Sequence, residues 1–124
     1  MQPGAQVPHF EATTVEGRRI SYRQLWQRRN LVLIVVADAA AAAPYLDSLR
    51  ASEADLTAHD TALVVTAGPV GDLRPNAVLI ADRWGEIHHV ADGLPLDRLP
   101  DPASLVEWLR FVQVQCPECQ GETR

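Results

Sequence analysis

The apolar positions of this chain fall into short, dense runs separated by polar segments rich in turn residues. Leu31-Val32-Leu33-Ile34-Val35-Val36 is continuous and rich in β-branched residues, the mark of a central strand buried on both faces. Ala62-Leu63-Val64-Val65-Thr66 and Ala77-Val78-Leu79-Ile80-Ala81 read as two more strands, with a loop over 67–71 between them. Between the first two runs, Tyr45, Leu46, Leu49 and Leu56 recur at helical spacing behind Pro44, which a first helical turn tolerates. A helix is therefore expected over 44–58, and the strands it joins should be parallel.

After the third strand, Asp82-Arg83-Trp84-Gly85 reads as a hairpin turn that returns the chain antiparallel over 86–90. A loop carrying Pro95 and Pro100 leads to a final helix, with Asp101 as its cap and Pro102 in its first turn. Leu105, Trp108, Leu109 and Val112 form the inner face of that helix. Upstream, residues 1–18 hold only scattered apolar positions and read as an extended arm with a turn at Glu16-Gly17. A short strand at Arg19-Ile20 follows, and then Ser21 as the N-cap of a short helix carrying Leu25 and Trp26. The expected fold is a three-layer α/β/α sandwich with a mixed parallel and antiparallel sheet, over residues 1–113. Residues 114–124 form a C-terminal tail.

Length and charge narrow the picture. With 124 residues, 47% of them hydrophobic, the chain suits one core and has no room for a second domain. A net charge of −5 argues against nucleic acid and against an anionic membrane surface as partners. Arg18, Arg19, Arg23, Arg28 and Arg29 read as a solvated face around the short helix rather than an anion site. No run approaches the ~20 apolar residues of a membrane span. Met1-Gln2-Pro3-Gly4 lacks the basic and apolar regions of a signal peptide, so the expected location is cytoplasmic.

Gly4, Pro8 and Phe10 reproduce a G-x-x-x-P-x-F opening; Gly17, Ile20-Ser21 and Leu25 follow it, and Asp82, Gly85 and Ile87 give D-x-x-G-x-I in the hairpin. In this order the motifs resemble the thioredoxin-fold redoxins of the peroxiredoxin and alkyl-hydroperoxide-reductase type, over residues 4–112. The resemblance implies a nucleophilic cysteine in the loop after the first core strand, where a helix N-terminus lowers the thiol pKa. Counting from the strand puts that position at Ala39 or Ala40, and counting back from Pro44 puts a C-x-x-C pair at Val36 and Ala39. None is a cysteine, and residues 36–44 contain no Ser or Thr to replace it. Peroxidase activity is therefore not expected. The resemblance also implies a cis-proline before the third strand; Pro75 is the candidate, although Asn76 occupies the matching position.

The two cysteines of the chain, Cys116 and Cys119, lie in Cys116-Pro117-Glu118-Cys119-Gln120-Gly121. One reading is a relocated thiol–disulfide pair with both residues catalytic. A preceding helix C-terminus, Glu118 and Glu122 all raise the thiol pKa, so such a pair should be a slow nucleophile. A second reading is half of a zinc knuckle, with both sulfurs ~2.3 Å from the metal. Two chains of a homodimer could complete a four-thiolate site. His88 and His89 are poorer complements, because neighbours in a strand point to opposite faces. The third reading is an inert tail. His9 and His59 read as surface residues, Trp26 and Trp108 as packing residues, Trp84 as a packing or contact residue, and Asp38 as a loop or cap residue. The functional alternatives are thus a thiol-redox accessory and a non-enzymatic binding or scaffold protein, with a homodimer or an unidentified protein as partner.

Overall fold

The structure is a computed structural model and describes residues 1–114. Its centre is the run identified above: β3 (Asn30–Val35) is buried at every position. It lies between β4 (Thr61–Thr66), which pairs with it in parallel, and β5 (Ala77–Ala81), which pairs antiparallel. β6 (Ile87–Ala91) adds antiparallel to β5, giving the order β4-β3-β5-β6. β4 is an edge strand, which is why Leu63 and Val65 are only half-buried despite the apolar run.

Side chains alternating along β3 and β5 divide the core into two layers. Val32, Ile34, Val78 and Ile80 pack beneath the helices with Leu49, Leu56, Leu105, Leu109 and Val112. Leu31, Leu33, Val35 and Leu79 face the other way and pack with Val7, Ala12 and Tyr22 from the N-terminal region. The sandwich thus carries its helices on one face of a mixed sheet. The outer layer of the opposite face is the N-terminal segment.

That segment is more ordered than an arm. β1 (Glu11–Thr13) pairs antiparallel with β2 (Arg19–Ser21), an exposed Arg19–Glu11 ion pair of 2.8 Å lying across them. Alternation over three residues per strand is too short to read from sequence. The expected short helix is a single 3₁₀ turn, Tyr22–Gln24, and Ser21 makes no side-chain cap bond. The helix expected over 44–58 is two: α1 (Ala43–Ala51) and α2 (Glu53–Leu56). Ser52, a modest helix former, leaves helical geometry at φ −107° and ψ 16°, and its N–H turns to the Leu49 carbonyl at 3.1 Å.

α3 (Pro102–Val114) is capped as expected, Asp101 accepting from Ser104 N–H at 2.9 Å. Cys116 and Cys119 lie outside the described residues. Among the described residues, no helix is long and apolar enough to cross a membrane.

Candidate functional site

β3 delivers the chain at Val36 into the loop where a redoxin-type nucleophile would stand. The loop is filled by a carboxylate. Asp38 Oδ1 accepts from the N–H groups of Ala40 at 2.9 Å and Ala41 at 3.4 Å, and the Asp38 carbonyl accepts from Ala42 N–H at 3.0 Å. Asp38 is therefore the turn-forming residue read from sequence, and it closes the turn that leads into α1. Ala39, Ala40 and Ala41 offer only methyl groups around it.

The loop is pinned from the other side by Asn76. Its Oδ1 accepts from Ala37 N–H at 2.9 Å and its Nδ2 donates to the Leu94 carbonyl at 3.1 Å. The cis peptide bond is the one between Pro75 and Asn76, one step beyond the bond that precedes Pro75. Asn76 thus stands where the resemblance places the cis-proline. Its amide makes side-chain bonds to both flanking loops that a proline cannot make. Beside this loop runs a groove of about 450 Å³ lined by Ala41, Pro44, Tyr45, Leu96, Asp97 and Leu99. Tyr45 donates from its hydroxyl to the Pro100 carbonyl at 2.8 Å, and burial, with Asp101 nearby, holds the phenol well above its ordinary range.

A second polar cluster lies at the β5–β6 hairpin. Asp82 is 2% exposed and organises the turn. Its Oδ1 accepts from Trp84 N–H at 2.9 Å and Glu86 N–H at 3.0 Å, and its Oδ2 lies 3.0 Å from His88 Nε2. Gly85 completes the turn at φ +86°, where a Cβ would meet Gln6 Oε1 at 2.7 Å and Trp26 Nε1 at 3.2 Å. Trp26 Nε1 donates to the Trp84 carbonyl at 3.2 Å, which ties the short helical turn to the hairpin. Asp82, Glu86 and His88 place one ligand atom each within 4.8 Å of one another.

A register change brings His88 there. The ladder passes from Ile80 opposite His89 to Ala81 opposite Ile87, so His88 is an extra residue in β6. A bulge breaks alternation and re-aims the side chain it carries. The two histidines therefore depart from the opposite-face arrangement expected of strand neighbours. His88 makes a T-shaped contact with Phe111 at a centroid distance of 6.1 Å, while His89 stacks on Trp108 at 4.7 Å, and both partner rings belong to α3.

Burial against that stack holds the His89 pKa below its ordinary 6.5. The unfolded chain therefore takes up this proton first as pH falls. The stability that neutral His89 contributes is intact above about 6.5 and is lost as pH falls from there through the lower folded-state value. Unfolding titrations of wild type and His89→Gln are expected to diverge in this window, with the variant the less sensitive to acid. Parallel curves would show that His89 is not the group responsible.

The other sequence candidates are placed plainly. His59 is exposed, and His9 is exposed but lies against the rings of Tyr22 (5.7 Å) and Trp26 (5.2 Å). Trp26, Trp84 and Trp108 are half-buried, as packing residues. Tyr22, which the sequence reading passed over, is fully buried, and its hydroxyl has no hydrogen-bond partner among the described residues. Burial, with the Asp82 carboxylate nearby, pushes its pKa up to about 12.

Solved structures share this architecture. The mitochondrial 2-Cys peroxiredoxin of Plasmodium falciparum superposes with a TM-score of 0.72 at 9% identity, over 97% of this chain and 98% of that one. The reduced 2-Cys peroxiredoxin of Plasmodium vivax gives 0.73 at 12% identity, over 98% and 86%. The fold is the thioredoxin fold of the peroxiredoxins. A peroxiredoxin-like protein from Aquifex aeolicus carries it too, with a TM-score of 0.63 at 12% identity over 90% and 88%. No family model matches the sequence, and no curated protein matches it. In the loop after β3, the N–H groups of Ala40 and Ala41 are occupied by Asp38.

Proposed function

We propose that this chain is a peroxiredoxin-fold protein without peroxidase chemistry, a thiol–disulfide redox accessory whose dithiol is Cys116 and Cys119. The observation that carries this reading is the Asp38 carboxylate on the N–H groups of the loop after β3, in a loop with no thiol. A peroxide has nothing to oxidise there, and a carboxylate on those donors repels a second anion. The chain's thiols all lie in the C-terminal pair.

In the proposed step one Cys thiolate attacks a partner's disulfide to form a mixed disulfide. The second Cys resolves it, so the chain's dithiol loses two electrons and the partner's disulfide gains them. Glu118 stands between the two cysteines and Glu122 follows them. Their like charge disfavours a second anion beside them, so the exchange should be slow. Purified protein is expected to consume no hydrogen peroxide beyond the rate of free thiols, and to reduce insulin disulfides slowly with a dithiol reductant as electron source. Cys119→Ser should abolish that reduction. Unchanged turnover in the variant, or catalytic peroxide consumption lost in Cys116→Ser, would overturn the reading.

The same electrostatics favour a second reading, in which the pair holds zinc, within one chain or across a homodimer. A metal displaces the thiol protons whatever their intrinsic pKa. Thiols that react with a maleimide only after chelation would establish this reading and exclude the redox one.

A further inference from the structure

We propose that Asp82, Glu86 and His88 form a binding site for a divalent transition-metal cation of zinc's class, built by the β5–β6 hairpin and independent of the two cysteines. Three features converge on it. The donors are one imidazole and two carboxylates, a set that balances a doubly charged ion and suits zinc better than magnesium or calcium, which prefer all-oxygen shells.

The second feature is preorganisation. Asp82 Oδ1 is held by the N–H groups of Trp84 and Glu86, which leaves Oδ2 directed at His88 Nε2, 3.0 Å away. Ligand atoms around a tetrahedral zinc with ~2.0 Å bonds stand ~3.3 Å apart, so this pair needs to open by only ~0.3 Å to span one edge of the polyhedron. Glu86 is exposed and the three ligand atoms lie within 4.8 Å, so a rotation of its side chain closes the third position. A water molecule would supply the fourth. On binding, His88 would present the lone pair of Nε2 to the metal and carry its ring proton on Nδ1.

The third feature is the bulge itself. An unbroken ladder would alternate His88 and His89 across the sheet, whereas the extra residue sets His88 over the Asp82 turn. The surroundings suit a cation. Asp82 is buried, Phe111 packs against the imidazole, and the neighbouring Arg83 guanidinium reaches toward Asp60 at 3.7 Å.

The test uses the full-length chain carrying Cys116→Ser and Cys119→Ser, titrated with zinc alone by calorimetry after chelator treatment. The expected result is about one zinc per chain. Adding Glu86→Gln or His88→Gln should each weaken binding at least ~10-fold, with the circular dichroism of the metal-free proteins unchanged. Cobalt in the same protein should give a tetrahedral visible spectrum lacking a thiolate charge-transfer band. Absence of zinc binding in the cysteine-free protein overturns the proposal, as does unchanged affinity in either variant. Should His88→Gln fail to fold, the exposed Glu86→Gln substitution decides the matter alone. None of these outcomes depends on the redox or metal role of Cys116 and Cys119.

Discussion

Ile34→Ala is expected to lower the free energy of unfolding by about 2–5 kcal/mol, the range for truncating a fully buried aliphatic side chain. Ile34 is 0% exposed in β3, with Val65 opposite it on one neighbour and Val78 on the other. Its side chain belongs to the layer beneath the helices that contains Leu49, Leu105 and Leu109. Two constraints keep the site from collapsing around the deleted atoms. The backbone is hydrogen-bonded to strands on both sides, and the helices rest on neighbouring residues as well. The cavity term should therefore add to the lost transfer free energy. Guanidinium titration with an unchanged m-value would report it. Val114→Ala makes the control: the residue is 67% exposed, and the change should stay within about 0.5 kcal/mol. Equal effects from the two substitutions would contradict the packing described for β3.

Asp82→Ala is expected to cost about 2–4 kcal/mol, because a buried carboxylate accepts from three donors at once. Removing it takes away the acceptor of the Trp84 and Glu86 N–H groups and the partner of His88 Nε2. These donors lie in a half-buried turn packed on Trp26, where solvent replaces the lost acceptor poorly. Asp82→Asn keeps an Oδ1 acceptor for the two backbone groups and should lose markedly less. Measured in chelator, so that bound metal does not enter, the Ala variant should also lose part of its coupling to His88→Gln in a double-mutant cycle. Additive effects of Asp82→Ala and His88→Gln would show that the 3.0 Å contact contributes nothing to stability.

The elements with long apolar runs were legible because burial on both faces is written in consecutive residues. β3, β5 and α3 came out close to where they were read, and so did the Asp82–Gly85 hairpin. The N-terminal ribbon was not legible, since β1 and β2 are three residues each and owe their pairing to the sheet face they cover. Ser52 divides the second helix through its backbone conformation, and helical periodicity in the side chains continues across the break.

The candidate sites divide in the same way. Absence of a thiol after β3 is a property of composition, and the residues of 36–44 determine it by themselves. So does the capacity of Asp38 to form a turn, a local bond between a side chain and the amides two and three residues on. What occupies the neighbouring positions was decided only by the tertiary structure. Asn76 reaches Ala37 across 39 positions of chain, and no pattern along the sequence announces that contact. His88 meets Asp82 because one extra residue enters the β6 ladder, and a ladder's register depends on both strands together. Alternation is a rule about one strand, so it assigned His88 and His89 to opposite faces. Pairing with β5 set the bulge and delivered His88 to the buried carboxylate.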